Sequence, residues 1–481
     1  MTCRLHTSCL DACKQKQERA KLSGPTPDTV EARAPIESKD QLIAYFAKGE
    51  KPKGQWRIGT EHEKFAFLTD TLEPVPYDGS RSIRKLLEGL RDRFGWDGVY
   101  EGDHIIALAD PKGMANISLE PGGQFELSGA PLESVHDTCA EVNEHLQQVR
   151  EIGDALGIGF IGLGASPVWT RAQTPIMPKG RYGIMAPYMD RVGTMGRDMM
   201  FRTCTVQVNL DFASEADMVK KLRTSVALQP IATALFANSP FLEGKPNGFK
   251  SFRSHVWTDT DRARSGMLPF MFEQGAGYER YMEYALDVPM YFVMREGKFV
   301  NCAGESFRKF MDGKLPQLPG EKPNLKDWAD HLTTIFPEVR LKSYLEMRGA
   351  DAGPWRRLCA LSAFWVGLLY DQSALDAAWD VAADWTAEER QSLRDAIPIQ
   401  GLDAIIRGRT VRDLAGEVLK ISRAGLDARG FVSHSGKSEG AFLDVLDESV
   451  AIGKTAADQL LDLYNGNWNG DISRVFRDFA Y

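Results

Sequence analysis

The chain has 481 residues, 43% of them hydrophobic and 26% charged, the balance of a globular chain able to bury a sizeable core. Its formal net charge of −8 argues against sequence-independent nucleic-acid binding, which needs clustered Lys and Arg. No apolar run approaches membrane-spanning length, and seven scattered cysteines form neither a small disulfide scaffold nor a zinc ribbon.

Neither nucleic acid nor membrane is therefore an expected partner. The N-terminus lacks the apolar stretch of a secretory signal, so a reducing cytosol is the expected compartment. Met1 to Pro35 is polar, mildly basic and aperiodic. It is expected to be a disordered extension, with a targeting peptide as the alternative. Residues 36–481 then form a single domain without internal repeat or linker.

Regular patterning begins near Pro35. Two β-like stretches, Trp56–Leu68 and Ile117–Leu127, flank a helical pattern around Ser82–Phe94. Val135, Cys139, Val142, Leu146, Val149, Ile152 and Leu156 recur at spacings of three and four, which predicts one amphipathic helix. A Gly-rich, β-like run follows from Gly157, and then a Met- and Pro-rich stretch, Pro175 to Met200, read as a substrate-covering loop. Phe201–Phe212 alternates as a strand, with Thr203, Thr205, Gln207, Asn209 and Asp211 on one face. Ser214 reads as the cap of a helix running to about Ala237. Tyr344–Arg348 reads as a short strand, and beyond about residue 354 the pattern is helical to Tyr464. Strands with intervening helices and no βαβ rhythm predict an α+β class with a largely antiparallel sheet.

Two nucleotide motifs are near matches only. Gly157, Gly159 and Gly162 spell GxGxxG, but the helix precedes the glycines, whereas pyrophosphate binding needs the loop to open one. Close backbone packing is the better reading. Gly430, Gly436, Lys437 and Ser438 approach a P-loop with one residue too many between the glycines and no preceding apolar strand.

The carboxylates are more informative. Glu61 and Glu63 lie two apart in a β-like segment, so they share a face and His62 points away. Glu120 and Glu126 bracket a turn, with Gln124 and Glu126 on one face. Glu346 sits among large apolar residues with Arg348 on its side. Any one of these glutamates reads as an ordinary solvated or ion-paired strand residue. Their repetition in three β-like segments changes the weighing, because buried carboxylates persist only around cations. Oxygen ligands without a Cys or His cluster select magnesium, with manganese the alternative, and such ions bridge carboxylates to ATP phosphates. Lys179, Arg181, Arg202, Arg253, Arg264 and Arg348 are the candidates for gripping anions.

Together these segments resemble the plant-type glutamate–cysteine ligases shared by plants and some proteobacteria. The stretches that carry the resemblance are IGTEHEKFAF (Ile58–Phe67), SLEPGGQFELSGAP (Ser118–Pro131), MPKGRYGIM (Met177–Met185), RTCTVQVNLDF (Arg202–Phe212), LQPIATALFANSPF (Leu228–Phe241), HLTTIFPEVRLKSYLEMRGAD (His331–Asp351) and PWRRLCAL (Pro354–Leu361). The resemblance implies a glutamine-synthetase-like antiparallel half-barrel with surrounding helices. It also implies ATP-dependent ligation of the γ-carboxylate of glutamate to the amine of cysteine through γ-glutamyl phosphate. Glu61, Glu63, Glu126 and Glu346 are then the metal ligands, and Glu120 is counted with them as a ligand. Arg253 and Arg348 serve the reacting groups. Lys179, Arg181, Gln207 and Arg348 serve the nucleotide. Small-molecule partners are glutamate, cysteine and ATP, and a homodimer is left open. Another carboxylate–amine ligase of the same superfamily and a guanidino-kinase-like phosphotransferase are the alternatives.

Plant members carry two cysteine pairs that can form disulfides. Cys302 matches the first cysteine of one pair, but Gln317 stands at its partner position, so that bridge is absent here. Cys139 and Cys359 match the other pair. In a reducing cytosol they are expected to stay reduced and the enzyme to be thiol-insensitive.

Overall fold

The computed structural model describes residues 34–112 and 114–481. The expected extension over residues 1–35 lies outside the described residues except for its last two, and Pro35 already bridges Asn324. The elements that build and support the site are, in chain order, α1 (Lys39–Ala47), β1 (Ile58–Leu68), α2 (Ile83–Phe94), β2 (Asp97–Glu101), β3 (His104–Ala109), β4 (Asn116–Leu119), β5 (Phe125–Ser128), α3 (Val135–Leu156), β6 (Ile158–Ile161), α4 (Gly180–Val192), α5 (Gly196–Arg202), β7 (Thr205–Leu210), α6 (Glu215–Leu235), α7 (Phe252–Val256), β8 (Phe292–Arg295), β9 (Lys298–Asn301), β10 (Val339–Leu341), β11 (Leu345–Asp351), α8 (Trp355–Leu369) and α9 (Val411–Arg429).

One nine-stranded sheet runs β10-β11-β7-β1-β5-β4-β3-β2, with β6 attached to the far half of β1. Every pairing along it is antiparallel. The long strand β1 is the spine. Its first half pairs with β7 and its middle with β5, while Phe65–Leu68 pairs with β6.

Helices cover one face of this sheet. α2 and α3 bury Leu86, Leu87, Leu90 and Val149 against Ile105, Ile117 and Leu127. α6, α8 and α9 enclose Val206, Val208, Leu210 and Met347. α8 is buried all round, the mark of a central core helix. The predicted cap holds: Ser214 accepts the third backbone N–H of α6, and Ser82 and Ser134 cap α2 and α3 in the same way.

The glycine run after α3 packs closely. A Cβ at Gly159 would stand 2.5 Å from the Phe67 ring, and one at Gly162 would stand 2.0 Å from the Tyr481 hydroxyl. The near P-loop around Gly436 is an exposed turn between α9 and the next helix.

Three local readings are corrected. Ile117–Leu127 is two strands, β4 and β5, joined by the tight turn at 120–124. The strand expected from Phe201 begins at Thr205, because Phe201 and Arg202 close α5. The expected loop Pro175–Met200 is largely helical, and Pro187 lies inside α4. A proline within a helix costs about 3 kcal/mol. Burying Tyr182, Tyr188 and Met189, with Tyr188 and Met189 in contact with Tyr291, offsets that, at about 1.5–3 kcal/mol for each large apolar side chain.

Candidate active site

The face of the sheet opposite the helices carries the polar positions, and a cavity of about 430 Å³ opens over it. β1 contributes Glu61 and Glu63, β5 contributes Glu126, β7 contributes Thr205 and Gln207, and β11 contributes Arg348. Register brings them together. Glu63 stands directly opposite Glu126, and Glu61 stands between Ser128 on one side and Gln207 on the other. The even positions of β1 point the other way, as expected: His62 is buried against His145 of α3, with ring centroids 5.5 Å apart.

The turn between β4 and β5 adds Glu120 and Gln124. Gln124 Nε2 donates to Met200 O at 3.1 Å and to Thr203 O at 2.9 Å, tying this turn to the end of α5. Lys179 and Arg181 enter from the start of α4. Lys179 Nζ donates to Leu119 O at 2.7 Å, and Glu101 of β2 accepts the Gly180 N–H at 2.7 Å, so the edge hairpin pins the helix start to the cavity rim. Arg181 Nε is buried without a hydrogen-bond partner among the described residues. Arg253, on the short helix α7, closes the wall beside Arg348. Its Nη2 donates to Arg348 O at 2.8 Å, the one hydrogen bond its guanidinium makes among the described residues.

The electrostatics divide the carboxylates into two kinds. Among the described residues Glu61, Glu63 and Glu126 make no ion pair; their oxygens accept from Asn209 Nδ2 at 2.8 Å, Thr205 N at 2.9 Å and Ser118 Oγ at 2.7 Å. Burial, reinforced by Glu346 and Glu126, pushes Glu61 up to about 7. Burial with Glu120 and Glu126 nearby pushes Glu63 well above the usual carboxylate range, and burial with Glu120 also raises Glu126. Burial holds Lys179 down to about 8, with Arg181 adding to the effect.

Glu346 is the opposite case. Arg340 Nη2 donates to its Oε1 at 2.7 Å, Lys342 Nζ lies 3.2 Å from its Oε2, and Arg348 contacts Oε1 as well. Burial opposes its charge, but Arg340, Lys342 and Arg348 outweigh it and hold the carboxyl well below the usual range. Expected among the metal ligands, Glu346 lies beneath the cavity wall with both oxygens engaged. It orients Arg348, whose Nη1 also reaches Gln207 Oε1 at 2.6 Å.

Two expected anion-binding arginines are absent from the site. Arg202 is paired with Asp198 and with Glu243 at 2.6 Å. Arg264 is fully buried, donates to Asp261 at 2.6 Å and packs over the Tyr291 ring. Both are structural, because their forks are already filled. Arg340 and Lys342, by contrast, line the cavity and were not singled out. Their signal was the alternation in VRLKSYLEMR around a short turn, which places Arg340 opposite Glu346. Trp257, Phe292 and Phe336 supply an apolar wall that no local motif announced.

Unpaired, mutually repelling carboxylates on adjacent strands are a donor set of hard oxygens, which fits a magnesium- or manganese-sized cation. Among the described residues no three acidic, His or Cys groups are already drawn to metal-ligating spacing. The set is aligned by register, and closing it would be the work of the ion.

A glutamine-synthetase-like α+β protein with its cavity on an antiparallel sheet is the class that this fold and site define. The profile of glutamate–cysteine ligase family 2 matches residues 57–478, and the chain belongs to that family. It is 58% identical over 459 residues to the chloroplastic glutamate–cysteine ligase B of Oryza sativa subsp. japonica, covering 95% of this chain and 90% of that one. It is equally 58% identical to the chloroplastic glutamate–cysteine ligase of Arabidopsis thaliana, covering 95% of this chain and 86% of that one. The crystal structure of a glutamate–cysteine ligase from Francisella tularensis in complex with AMP has the same fold, with a TM-score of 0.53 at 14% identity over 88% of this chain and 89% of that one.

These relatives overturn the cytosolic expectation. They are named chloroplastic, which points to a plastid. Cysteine scatter and net charge do not decide a compartment, because targeting signals are read by receptors and leave no mark on the composition of the folded domain.

Proposed function

We propose that the cavity over β1, β5, β7 and β11 is where this chain works as an ATP-dependent glutamate–cysteine ligase. The reaction joins the γ-carboxylate of glutamate to the amine of cysteine, the first step of glutathione biosynthesis. ATP phosphorylates the γ-carboxylate, and the cysteine amine attacks the acyl carbon and releases phosphate. The observation that carries this reading is one cavity holding two opposite charge sets. Glu61, Glu63 and Glu126 lack ion-pair partners among the described residues, while Lys179, Arg181, Arg253 and Arg348 face them.

Phosphoryl transfer between anions depends on charge neutralisation and in-line positioning. Glu61, Glu63 and Glu126, with Glu120 beside them, would hold magnesium or manganese, which when bound neutralises phosphate oxygens. Lys179 and Arg181 serve the phosphates, and the unpartnered Arg181 Nε supports that role. Gln207 is a neutral neighbour that orients Arg348. Arg253, with a nearly unused fork, takes the α-carboxylate of glutamate. Arg348 lies next to it, toward the reacting γ-carboxyl, and stabilises charge there.

Two measurements test this. Release of free phosphate should require glutamate and cysteine together; consumption of ATP that stops at a phosphorylated product, without free phosphate, would favour the phosphotransferase reading. In Glu63→Gln, kcat/KM should fall at least a hundredfold, the order expected when an electrostatic contact to the reacting groups is lost. The stabilisation that added magnesium confers on the wild type in thermal melts should vanish as well. Retention of both in the variant would remove Glu63 from the ligand set.

A further inference from the structure

Asp351, the last residue of β11, is a fully buried carboxylate to which the reaction assigns no role. An irregularity in β11 puts it there. Met347 pairs with Val208 and Ala350 with Val206, so β11 advances three residues while β7 advances two. Successive strand residues alternate faces, and the extra residue reverses that parity. Ala350 thereby rejoins Met347 in the apolar core, and Asp351, opposite Thr205, falls on the face that carries Glu346.

From that position its carboxylate gathers three donors. Oδ2 accepts from Asn238 N at 2.8 Å and Ser239 Oγ at 2.7 Å, and Oδ1 accepts from Ser251 Oγ at 2.8 Å. The two serines in turn hold α7. Ser251 Oγ caps it by accepting Ser254 N at 3.1 Å, and Ser239 Oγ accepts Arg253 N at 3.2 Å. α7 has five residues, too few to hold a helical shape unaided. Yet it carries Arg253, with Trp257 at its end, and both form the cavity wall.

We infer that Asp351 is a positioning residue: through Ser239 and Ser251 it sets the angle at which α7 presents the Arg253 guanidinium to the substrate carboxylate. The inference rests on the assignment of Arg253 to the α-carboxylate of glutamate. Arg253 itself binds one carbonyl oxygen among the described residues, so the clamp on its backbone is what aims it. A misplacement of about 1 Å in a positioning group is enough to cost up to a hundredfold in rate, so a clamp this local has a measurable effect.

The test is a cycle of Asp351→Asn, Arg253→Lys and the double variant, with KM for glutamate and for ATP measured separately and thermal melts on each. Asp351→Asn should raise KM for glutamate at least fivefold and leave KM for ATP within twofold. In the double variant KM for glutamate should lie within twofold of Arg253→Lys alone, because both changes act through one group. Multiplicative effects, or equal rises for glutamate and ATP, would overturn the inference by showing general loosening. Ser251→Ala supplies the same readout should Asp351→Asn fail to fold, with the same outcomes for and against. If Arg253→Lys leaves KM for glutamate unchanged, the assignment of Arg253 fails. If Arg253→Lys raises it and neither Asp351→Asn nor Ser251→Ala does, the positioning role alone fails.

Discussion

At the scale of single residues, identical glutamates do different work according to what lies beside them. Glu63 is unpaired and repelled, whereas Glu346 is the common counter-charge of Arg340, Lys342 and Arg348. Removing one partner from a buried ion cluster costs on the order of 3–5 kcal/mol. Glu346→Gln should therefore lose activity together with a large drop in melting temperature, where Glu63→Gln keeps the melting temperature of the metal-free protein. A stable, inactive Glu346→Gln would instead return Glu346 to the ligand set. A third environment is that of Glu141 on α3, whose Oε1 accepts Ala130 N at 2.8 Å while Oε2 is buried without a partner. Burial pushes its carboxyl from 4.5 up to about 7. A folded-state value above the unfolded one means that the folded protein binds the extra proton. Stability is then greatest below about 4.5 and declines as pH rises to about 7, by about 3 kcal/mol at most. Melts of wild type and Glu141→Gln at pH 5 and pH 8 check this: the variant should gain on the wild type at the higher pH, and parallel curves would refute it.

At the scale of elements, the site depends on short connectors held by backbone contacts. The turn between β4 and β5 closes with Gly123 N donating to Glu120 O at 2.9 Å, and Gly123 sits at φ +81°. Its neighbour Gly122 has no space for a side chain, since a Cβ would stand 2.3 Å from Phe201 O. Gly122→Ala must push the turn away from α5, moving Glu120 and Gln124 together. Overpacking of this kind costs about 1–3 kcal/mol, and kcat/KM should fall at least tenfold. A variant with normal kinetics would show that the turn does not set the cavity geometry. Such turns were legible as turns from their glycines, but their clamps were not. Nothing local in PGGQ says that Gln124 will bind the end of α5. α4 shows the same limit, since its proline and glycines read locally as loop and only burial of its apolar face, against Tyr291 among others, makes it a helix.

At the scale of the whole molecule, α3 and α8 bring together the one cysteine pair that survives from the two of the plant ligases. The Cys139 and Cys359 thiols are free, and each shifts the other: Cys359 lowers Cys139, while Cys139 together with burial raises Cys359. Cys302 is buried, and exposed Gln317 offers it no partner. Thiol insensitivity was expected from a reducing cytosol, and with the compartment corrected that ground is gone. The two thiols lie on helices packed against each other, and a bridge closing so long a loop would stabilise by on the order of 5 kcal/mol in the chain-entropy account. Mild oxidation should raise the melting temperature of the wild type and leave Cys139→Ser unchanged; the same shift in both would exclude this pair as its source. Assaying both proteins with and without dithiothreitol then reads any effect on activity.

The sequence by itself determined whatever is encoded at short range. The period of two in β1 places Glu61 and Glu63 on one face, the apolar stripe of α3 runs from Val135 to Leu156, and long uninterrupted motifs identify the family and its α+β sheet. Only the tertiary structure decided which carboxylates are free and which are neutralised, because that depends on contacts between residues far apart in the chain. Asn209 reaches Glu61 across 148 positions. Arg340 cancels Glu346 because β10 and β11 pair in that register, and one extra residue in β11 turns Asp351 from the core face to the face of the site. Periodicity fixes a side chain's face, but strand register and helix docking fix its neighbour, and the charge of a buried group is set by its neighbour.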